Sequence, residues 1–169
     1  LLFLCVRMMG ETIIPDSISN RICTGFHPDP SICRVGEDYY LVTSSFTWFP
    51  GLPIYHSRDL TNWSLIGHAL TNPKAIDFNG MTDNDGIWAP TLRYHNGTFY
   101  LITTAHGCGG NFYMTAKNPA GPWSDPVWLK DAPGIDPSLF FDVDGRCYYT
   151  GNRWDFKSAW PAQCAVWMQ

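Results

Sequence analysis

The sequence predicts an all-β fold assembled from propeller blades. Three observations lead there. A short motif occurs three times, as His27-Pro-Asp-Pro-Ser31-Ile32, Trp88-Ala-Pro-Thr-Leu92 and Gly134-Ile-Asp-Pro-Ser138-Leu139. Each copy runs through a charged or glycine-containing turn into an aromatic strand, at Asp38-Tyr-Tyr-Leu-Val-Thr43, Thr98-Phe-Tyr-Leu-Ile-Thr103 and Gly145-Arg-Cys-Tyr-Tyr-Thr150. No segment sustains a helical period, so helix content is expected to be very low. Copies beginning at Asp29, Ala89 and Asp136 succeed one another at the spacing of propeller blades, roughly 40–60 residues of short strands and turns. A complete small β-sandwich is the alternative for 169 residues.

Residues 1–24 read as an N-terminal lead-in and 25–169 as blades one, two and part of three. Within the lead-in, Leu1 to Val6 is apolar but too short to span a membrane. It reads as the tail of a signal peptide or as translated sequence before a start at Met8 or Met9. Blade one is expected to place strands at 31–34, 38–44, 53–57 and 63–67, and blade two at 91–94, 98–104, 111–116 and 126–129. In blade three the inner strand falls at 138–141, a second strand comes after Gly145, and a third covers 165–169. The turns at Gly36-Glu-Asp38, Asn96-Gly97 and Asp144-Gly145 supply residues that tolerate positive φ, as tight hairpins require. Phe99-Tyr-Leu-Ile-Thr-Thr104 is dominated by aromatic and β-branched residues, which suit a pleated surface. Two blades and part of a third cannot close a propeller, so open edges and apolar faces are expected.

Two motif copies keep a carboxylate at the same place, Asp29 and Asp136, and the second has Ala89 there. A repeated unit that keeps an acid at one level in two blades places both acids at a common centre. Proline restricts the residue before it to extended backbone, so each aspartate is expected to enter its inner strand extended, its side chain facing the channel. The competing reading is that Asp-Pro is simply a turn dipeptide. Asp142 and Asp144 read as a solvated hairpin turn. Trp88, one residue before Ala89, lies at the level of the two acids and is a candidate for the pocket lining, against core packing. His106 comes after the matching strand of blade two and is a candidate for contact with sugar hydroxyls. His27 is a candidate neighbour of Asp29. Trp63, Trp123 and Trp128 read as blade-packing residues on outer strands.

Aromatic and charged residues each make up 15% of the chain. That balance suits stacking on sugar rings, and it equally suits packed blades. A net charge of −4 without any basic run argues against nucleic acid as a partner. The six cysteines form no CxxC pair and no zinc spacing, and are expected to be free, mostly buried thiols. No metal ligand set is visible. Asn62-Trp-Ser64 and Asn96-Gly-Thr98 match the glycosylation sequon, a triplet common by chance.

From Gly25 to Asn152 the chain resembles glycoside hydrolase family 43. The likeness is carried by Gly25-Phe-His-Pro-Asp-Pro-Ser31, Trp48-Phe-Pro-Gly-Leu-Pro-Ile-Tyr-His-Ser-Arg-Asp-Leu60, Gly86-Ile-Trp-Ala-Pro-Thr91 and Gly134-Ile-Asp-Pro-Ser-Leu-Phe-Phe-Asp142. The resemblance implies a five-bladed β-propeller, here truncated to roughly two and a half blades of a catalytic domain. It implies an inverting glycosidase that removes xylose or arabinofuranose from plant polysaccharide or oligosaccharide. The stretch from Phe49 to Leu60, with Asn62-Trp63, looks most like the β-xylosidase branch. Asp29 matches the family's general base and Asp136 the aspartate that orients the general acid and raises its pKa. Phe46 resembles a pocket-wall aromatic. The general acid is a glutamate on a later blade, and neither glutamate of this chain, Glu11 or Glu37, matches its motif. The isolated 169 residues are therefore expected to be inactive. No cofactor is implied within the chain. Some family members hold a calcium ion in the channel, on residues expected outside this one. A carbohydrate-binding propeller without catalysis is the alternative from another class, and a pure interaction propeller a third. Two carboxylates at equivalent blade positions count against the third.

Overall fold

In a computed structural model of the chain, residues 23–154 and 164–169 are described. Glu11, Cys5, the apolar Leu1 to Val6 and both candidate start methionines lie outside the described residues. Among the described residues there is no helix. Twelve strands form three antiparallel sheets. Sheet one is a simple meander of β1 (Ser31–Val35), β2 (Asp38–Val42), β3 (Gly51–Ser57) and β4 (Ser64–Leu70). Sheet two holds β5 (Gly86–Ile87), β6 (Thr91–His95), β7 (Thr98–His106), β8 (Gly110–Ala116) and β9 (Val127–Trp128). Sheet three holds β10 (Ile135–Phe141), β11 (Cys147–Trp154) and β12 (Cys164–Met168), in that order.

The meander is set by the turns. Asn96 and Gly97 both take positive φ, 46° and 73°, the pairing that a two-residue type I′ hairpin demands. The expected strands are all present, with shifted ends; β2 stops at Val42 rather than 44. β5 has no counterpart among them. It forms because β7 runs on to His106, past the end of β6, and Gly86 and Ile87 pair with that free length. β4 continues to Leu70 because Ala69 and Leu70 are buried in the core. β10 starts at Ile135 rather than 138, with a register shift between Ile135 and Ser138. The tryptophans also sit slightly differently. Trp128 is on β9, whereas Trp63 and Trp123 lie just outside strands; Trp123 and Trp128 pack against the core.

That core lies between blades one and two. Val42, Leu52, Ile54, Leu70, Ile87, Leu92, Leu101 and Phe112 are essentially without solvent contact. β7 is buried on both faces from Leu101 to Ala105, because blade two has a neighbour on each side. Blade three has one on a single side, and Phe140, Trp154, Val166 and Met168 stand exposed on it. The cysteines depart from expectation: Cys23, Cys33 and Cys108 are half-buried free thiols and Cys147 is exposed. Large aromatic and aliphatic side chains take the fully buried places instead.

Polar ties join the blades near the inner strands. The Ser31 hydroxyl accepts a hydrogen bond from Leu92 N at 3.1 Å. Arg93 of β6 reaches into blade three, donating to Leu139 O (3.1 Å) and Ser138 Oγ (3.0 Å). Phe46 and Ile87 exchange two backbone hydrogen bonds of 2.9 Å, a single bridge from blade one to blade two. Gly86 makes that bridge approachable. It has φ 89°, and a Cβ there would collide with Phe46 O and Thr47 N.

Gly86→Ala should therefore destabilise the chain by about 3 kcal/mol or more, combining left-handed strain with a broken bridge. Gly97→Ala has φ 73° with open space around the added carbon, so it should cost only the conformational part, about 1–2 kcal/mol. Urea unfolding of both variants checks the difference, and equal losses would mean that the bridge carries no weight.

Candidate active site

The three motif copies superimpose through their hydrogen-bond registers. Ser31 faces Val42, Thr91 faces Ile102 and Ser138 faces Thr150. Further back along each strand the next tie is Ser44 N to Pro28 O, Trp88 N to Thr104 O, and the Ile135–Asn152 pair. Between these two ties every blade sets two residues against one: Asp29-Pro30 against Thr43, Ala89-Pro90 against Thr103, and Asp136-Pro137 against Gly151. Each inner strand thus opens on a β-bulge, a device that re-aims a side chain.

The bulge overturns one expectation. Asp29 and Asp136 are not extended; they take φ 53° and 54°, in the left-handed region. Ala89 does not. The extra residue bends the strand, and the ladder ties on either side impose that bend against the preference set by the next residue, proline. Aspartate is among the few side chains that tolerate it. A position of this kind costs on the order of 1–3 kcal/mol and persists only where its surroundings over-determine it.

Each carboxylate has a polar residue beside it on the neighbouring strand of its own blade. Ser44 Oγ, in a buried side chain, donates to Asp29 Oδ2 at 2.6 Å. At the same station of blade three stands Asn152, whose side chain is near enough to Asp136 to favour its charged form. The Asn152 oxygen is itself buried without a partner. Burial pushes the Asp136 carboxyl above the ordinary range, the negative charge of Asp29 pushes it further, and Asn152 opposes both. The two acids, on different blades, therefore lie within electrostatic reach of one another.

Trp88 and His106 form a second group. Their rings stack with centroids 3.8 Å apart and planes 10° from parallel. The Trp88 indole nitrogen donates to Asn84 O at 2.7 Å. His106 Nδ1 meets Asp85 Oδ1 at 2.9 Å. The other carboxylate oxygen of Asp85 accepts from Thr82 N (2.9 Å) and Thr82 Oγ1 (2.7 Å). These bonds, the backbone one foremost, hold the Asp85 carboxyl below its ordinary range. Asp85 thus adds a side-chain tie between the loop at Thr82 and the end of β7, beside the backbone pairing of Gly86 and Ile87.

Phe46, at φ 49°, is tied by its backbone beside Trp88 through the Ile87 bridge, but its ring stacks on Phe26 at 5.9 Å. It faces a cavity of about 210 Å³ with His27, Ser44, Trp48, Tyr55 and His68, whose walls do not include either aspartate or Trp88. His27 does not touch Asp29; its ring meets Thr24 O and the Tyr55 hydroxyl. A larger cavity of about 800 Å³ lies between blades two and three, lined by Tyr100, Tyr113, Trp128, Phe141 and Tyr149, away from the acids. Asp142 and Asp144 sit at the hairpin turn, where each accepts from a nearby backbone N–H. Glu37 is exposed in the β1–β2 turn, at the far end of β1 from Asp29. Among the described residues no group of three or more His, Cys, Asp or Glu side chains is arranged to hold a metal ion.

Sequence reasoning missed Ser44, Asn152, Asp85 and Asn111. For the first two a signal exists: a polar residue recurs two positions past the register pair of each aromatic strand, as Ser44, Thr104 and Asn152. Nothing local marks Asp85 or Asn111.

The profile of Glycosyl hydrolases family 43 matches residues 18–169. A "Xylosidase/arabinosidase" of Butyrivibrio fibrisolvens is 56% identical over 137 residues, covering 80% of this chain and 26% of the relative. A "Non-reducing end alpha-L-arabinofuranosidase" of Bacteroides ovatus is 52% identical over 153 residues, covering 88% and 28%. Among solved structures, a xylan beta-1,4-xylosidase from Bacillus halodurans aligns with a TM-score of 0.82 at 48% identity, covering 90% of this chain and 30% of that one. Antiparallel blades with this match define a β-propeller of the glycosidase class. The chain belongs to glycoside hydrolase family 43, and its sheets are two blades and part of a third of a five-bladed propeller. It spans about a quarter of the length of the curated relatives it matches.

The mutual effect of the two acids is directly measurable. Asp29→Asn removes the like charge, so the Asp136 carboxyl should titrate closer to its ordinary 3.8 in a carboxyl-carbon NMR titration. An unmoved Asp136 would mean that the acids do not share a centre. Asp85 should respond in the opposite sense. Its folded pKa is depressed, so the stability it contributes is present above 3.8 and is lost as pH falls through its lower folded value. Thr82→Val, which removes one donor, should raise it.

Proposed function

We propose that the whole protein is an inverting exo-glycosidase that releases xylose or arabinofuranose from the ends or branches of plant oligosaccharide or polysaccharide. The observation that carries this reading is the pair Asp29 and Asp136: the same bulge, the same left-handed φ, different blades, and a charge interaction between them. The relatives' names point to the same sugars.

In this reading Asp29 is the general base. It accepts a hydrogen bond from Ser44 on one oxygen, which leaves its other oxygen for the attacking water. Inversion needs base and acid on opposite sides of the anomeric carbon, about 6.5–9.5 Å apart, to admit that water. Asp136 orients the general acid and raises its pKa by like-charge repulsion, so that the acid is protonated at working pH. The acid is a glutamate that neither Glu11 nor Glu37 supplies. The Trp88–His106 stack offers a flat apolar wall for a sugar ring, with the outer edge of the imidazole for a hydroxyl.

The test compares the 169-residue chain, the full-length protein and its Asp29→Ala variant on aryl β-xylosides and aryl α-arabinofuranosides. The short chain should show no measurable hydrolysis, since acid assistance alone is typically worth about 10²–10⁴ in rate. The full-length enzyme should turn over with inverted product, read by proton NMR, and Asp29→Ala should abolish turnover. Activity in the short chain would place the acid within it. An inactive full-length protein would favour a carbohydrate-binding propeller, and an active Asp29→Ala would remove the base from the scheme.

A further inference from the structure

We propose that Asn111 is a positioning residue for Asp136, a strut from blade two that sets the geometry of the segment carrying the carboxylate. Asn111 is the second residue of β8 and is almost wholly buried, at 2% exposure. Its side-chain oxygen accepts from Thr104 Oγ1 at 2.6 Å. The two N–H groups of its amide are shared among three acceptors, Ala132 O at 2.6 Å, Gly134 O at 3.1 Å and the Tyr149 hydroxyl at 2.9 Å. Two of these acceptors are backbone carbonyls, which can only accept, so the amide has one permissible orientation. One buried side chain thus holds the backbone two and four residues ahead of Asp136, together with a ring from the adjacent strand β11.

This hold acts on a segment with little room to move. Gly134 sits at φ 95°, and a Cβ there would collide with Asn152 O, so the segment runs hard against the strand that carries Asn152. Arg93 fixes the other side of the bulge through Ser138 and Leu139. Asp136 is therefore bracketed between two anchors, both from blade two. Among the described residues no side chain makes the equivalent bonds ahead of Asp29. Thr104 occupies the station of Ser44 and Asn152, but in blade two, which lacks the acid, it serves Asn111 instead. The charged groups around the segment are Asp29 across the centre and Arg93 and Arg153 beside it.

The proposal rests on the hydrolase reading for its kinetic readout only. In the full-length protein, Asn111→Ala should release the segment and let the Asp136 carboxylate move away from Asp29. Its carboxyl-carbon titration should then fall toward the ordinary value, an outcome independent of activity. Turnover should fall by about 10²-fold, the usual consequence of a misplacement near 1 Å, with KM little changed. The basic limb of the pH–rate profile should move acidward by about one unit as the general acid loses its charged neighbour. Tyr149→Phe removes one acceptor and leaves both carbonyl bonds, so it should lower thermal stability without moving the limb or the titration. If Asn111→Ala does not fold, Thr104→Val tests the same strut through the bond that aligns it, with a smaller shift in the same directions. An Asp136 titration that stays put in the folded variant would overturn the proposal, whatever the thermal stability does. A moved titration with no turnover in the parent protein would uphold it while sinking the hydrolase reading.

Discussion

The site depends on a two-against-one bulge at the head of each inner strand. Backbone ties before and after the Asp-Pro pair fix where the ladder stops and resumes, and the one surplus residue must be absorbed between them. In a sheet of period two, a slip of one residue would turn every side chain of the inner strand to the opposite face. The bulge changes face once, at one place, and leaves the strand beyond it in normal alternation. That is how an acid can be aimed out of the sheet at a position where Ser31 and Ser138 already face neighbouring blades.

Holding two aspartates at positive φ costs on the order of 1–3 kcal/mol each, and single hydrogen bonds return only about 1 kcal/mol net. No one contact offsets the strain. The buried core between blades one and two sets the frame, and the polar ties act within it. These ties gather near the inner strands, where backbone groups of adjacent blades come together away from water and need partners. Serine serves there in the first and third copies, accepting from Leu92 N in one case and from Arg93 in the other. The third residue of the motif is therefore a fastener between blades, whereas the first is the group being aimed.

Much of this is legible in the sequence. The threefold motif locates the inner strands, and Ser31 and Thr91 open β1 and β6 as expected. Asn96-Gly97 announces its hairpin. The departures have physical causes. Proline argues for extended backbone at Asp29 and Asp136, but proline acts on one residue and the ladder on many. β5 is invisible in sequence because Gly86-Ile87 is a pairing of convenience with an overlong neighbour, not a run with strand composition. Asn111 reads in sequence only as the first residue of an expected strand; only the fold reveals that Ala132, Gly134 and Tyr149 converge on it. Asp85 likewise looks like a loop acid until β7 brings His106 beside it. His27 is close in sequence to Asp29, yet the bend at Asp29 turns the chain so that His27 meets Tyr55 instead.

Identical motifs do not make identical acids. Asp29 and Asp136 share bulge, φ and adjoining proline, so nothing in the motif separates a base from a modulator. Their neighbours do. Asp29 receives a short bond from a buried hydroxyl, a donor suited to an ionised carboxylate. Asp136 has its carboxyl pushed up by desolvation and by the charge of Asp29, and stands beside an amide whose own oxygen has no partner. Environments that differ in this way are how proteins assign separate tasks to paired carboxyl groups. The repeat therefore accounts for where the acids stand, and the non-repeated residues, Ser44 against Asn152 and Asn111 on one side only, account for what each is proposed to do. The two acids also repel, and no covalent link or shared loop holds them at their distance. Their separation is a property of how blade one, blade two and blade three pack, which places the demand for rigidity on blade two, whose motif copy has Ala89 in place of the aspartate and which supplies both anchors of Asp136.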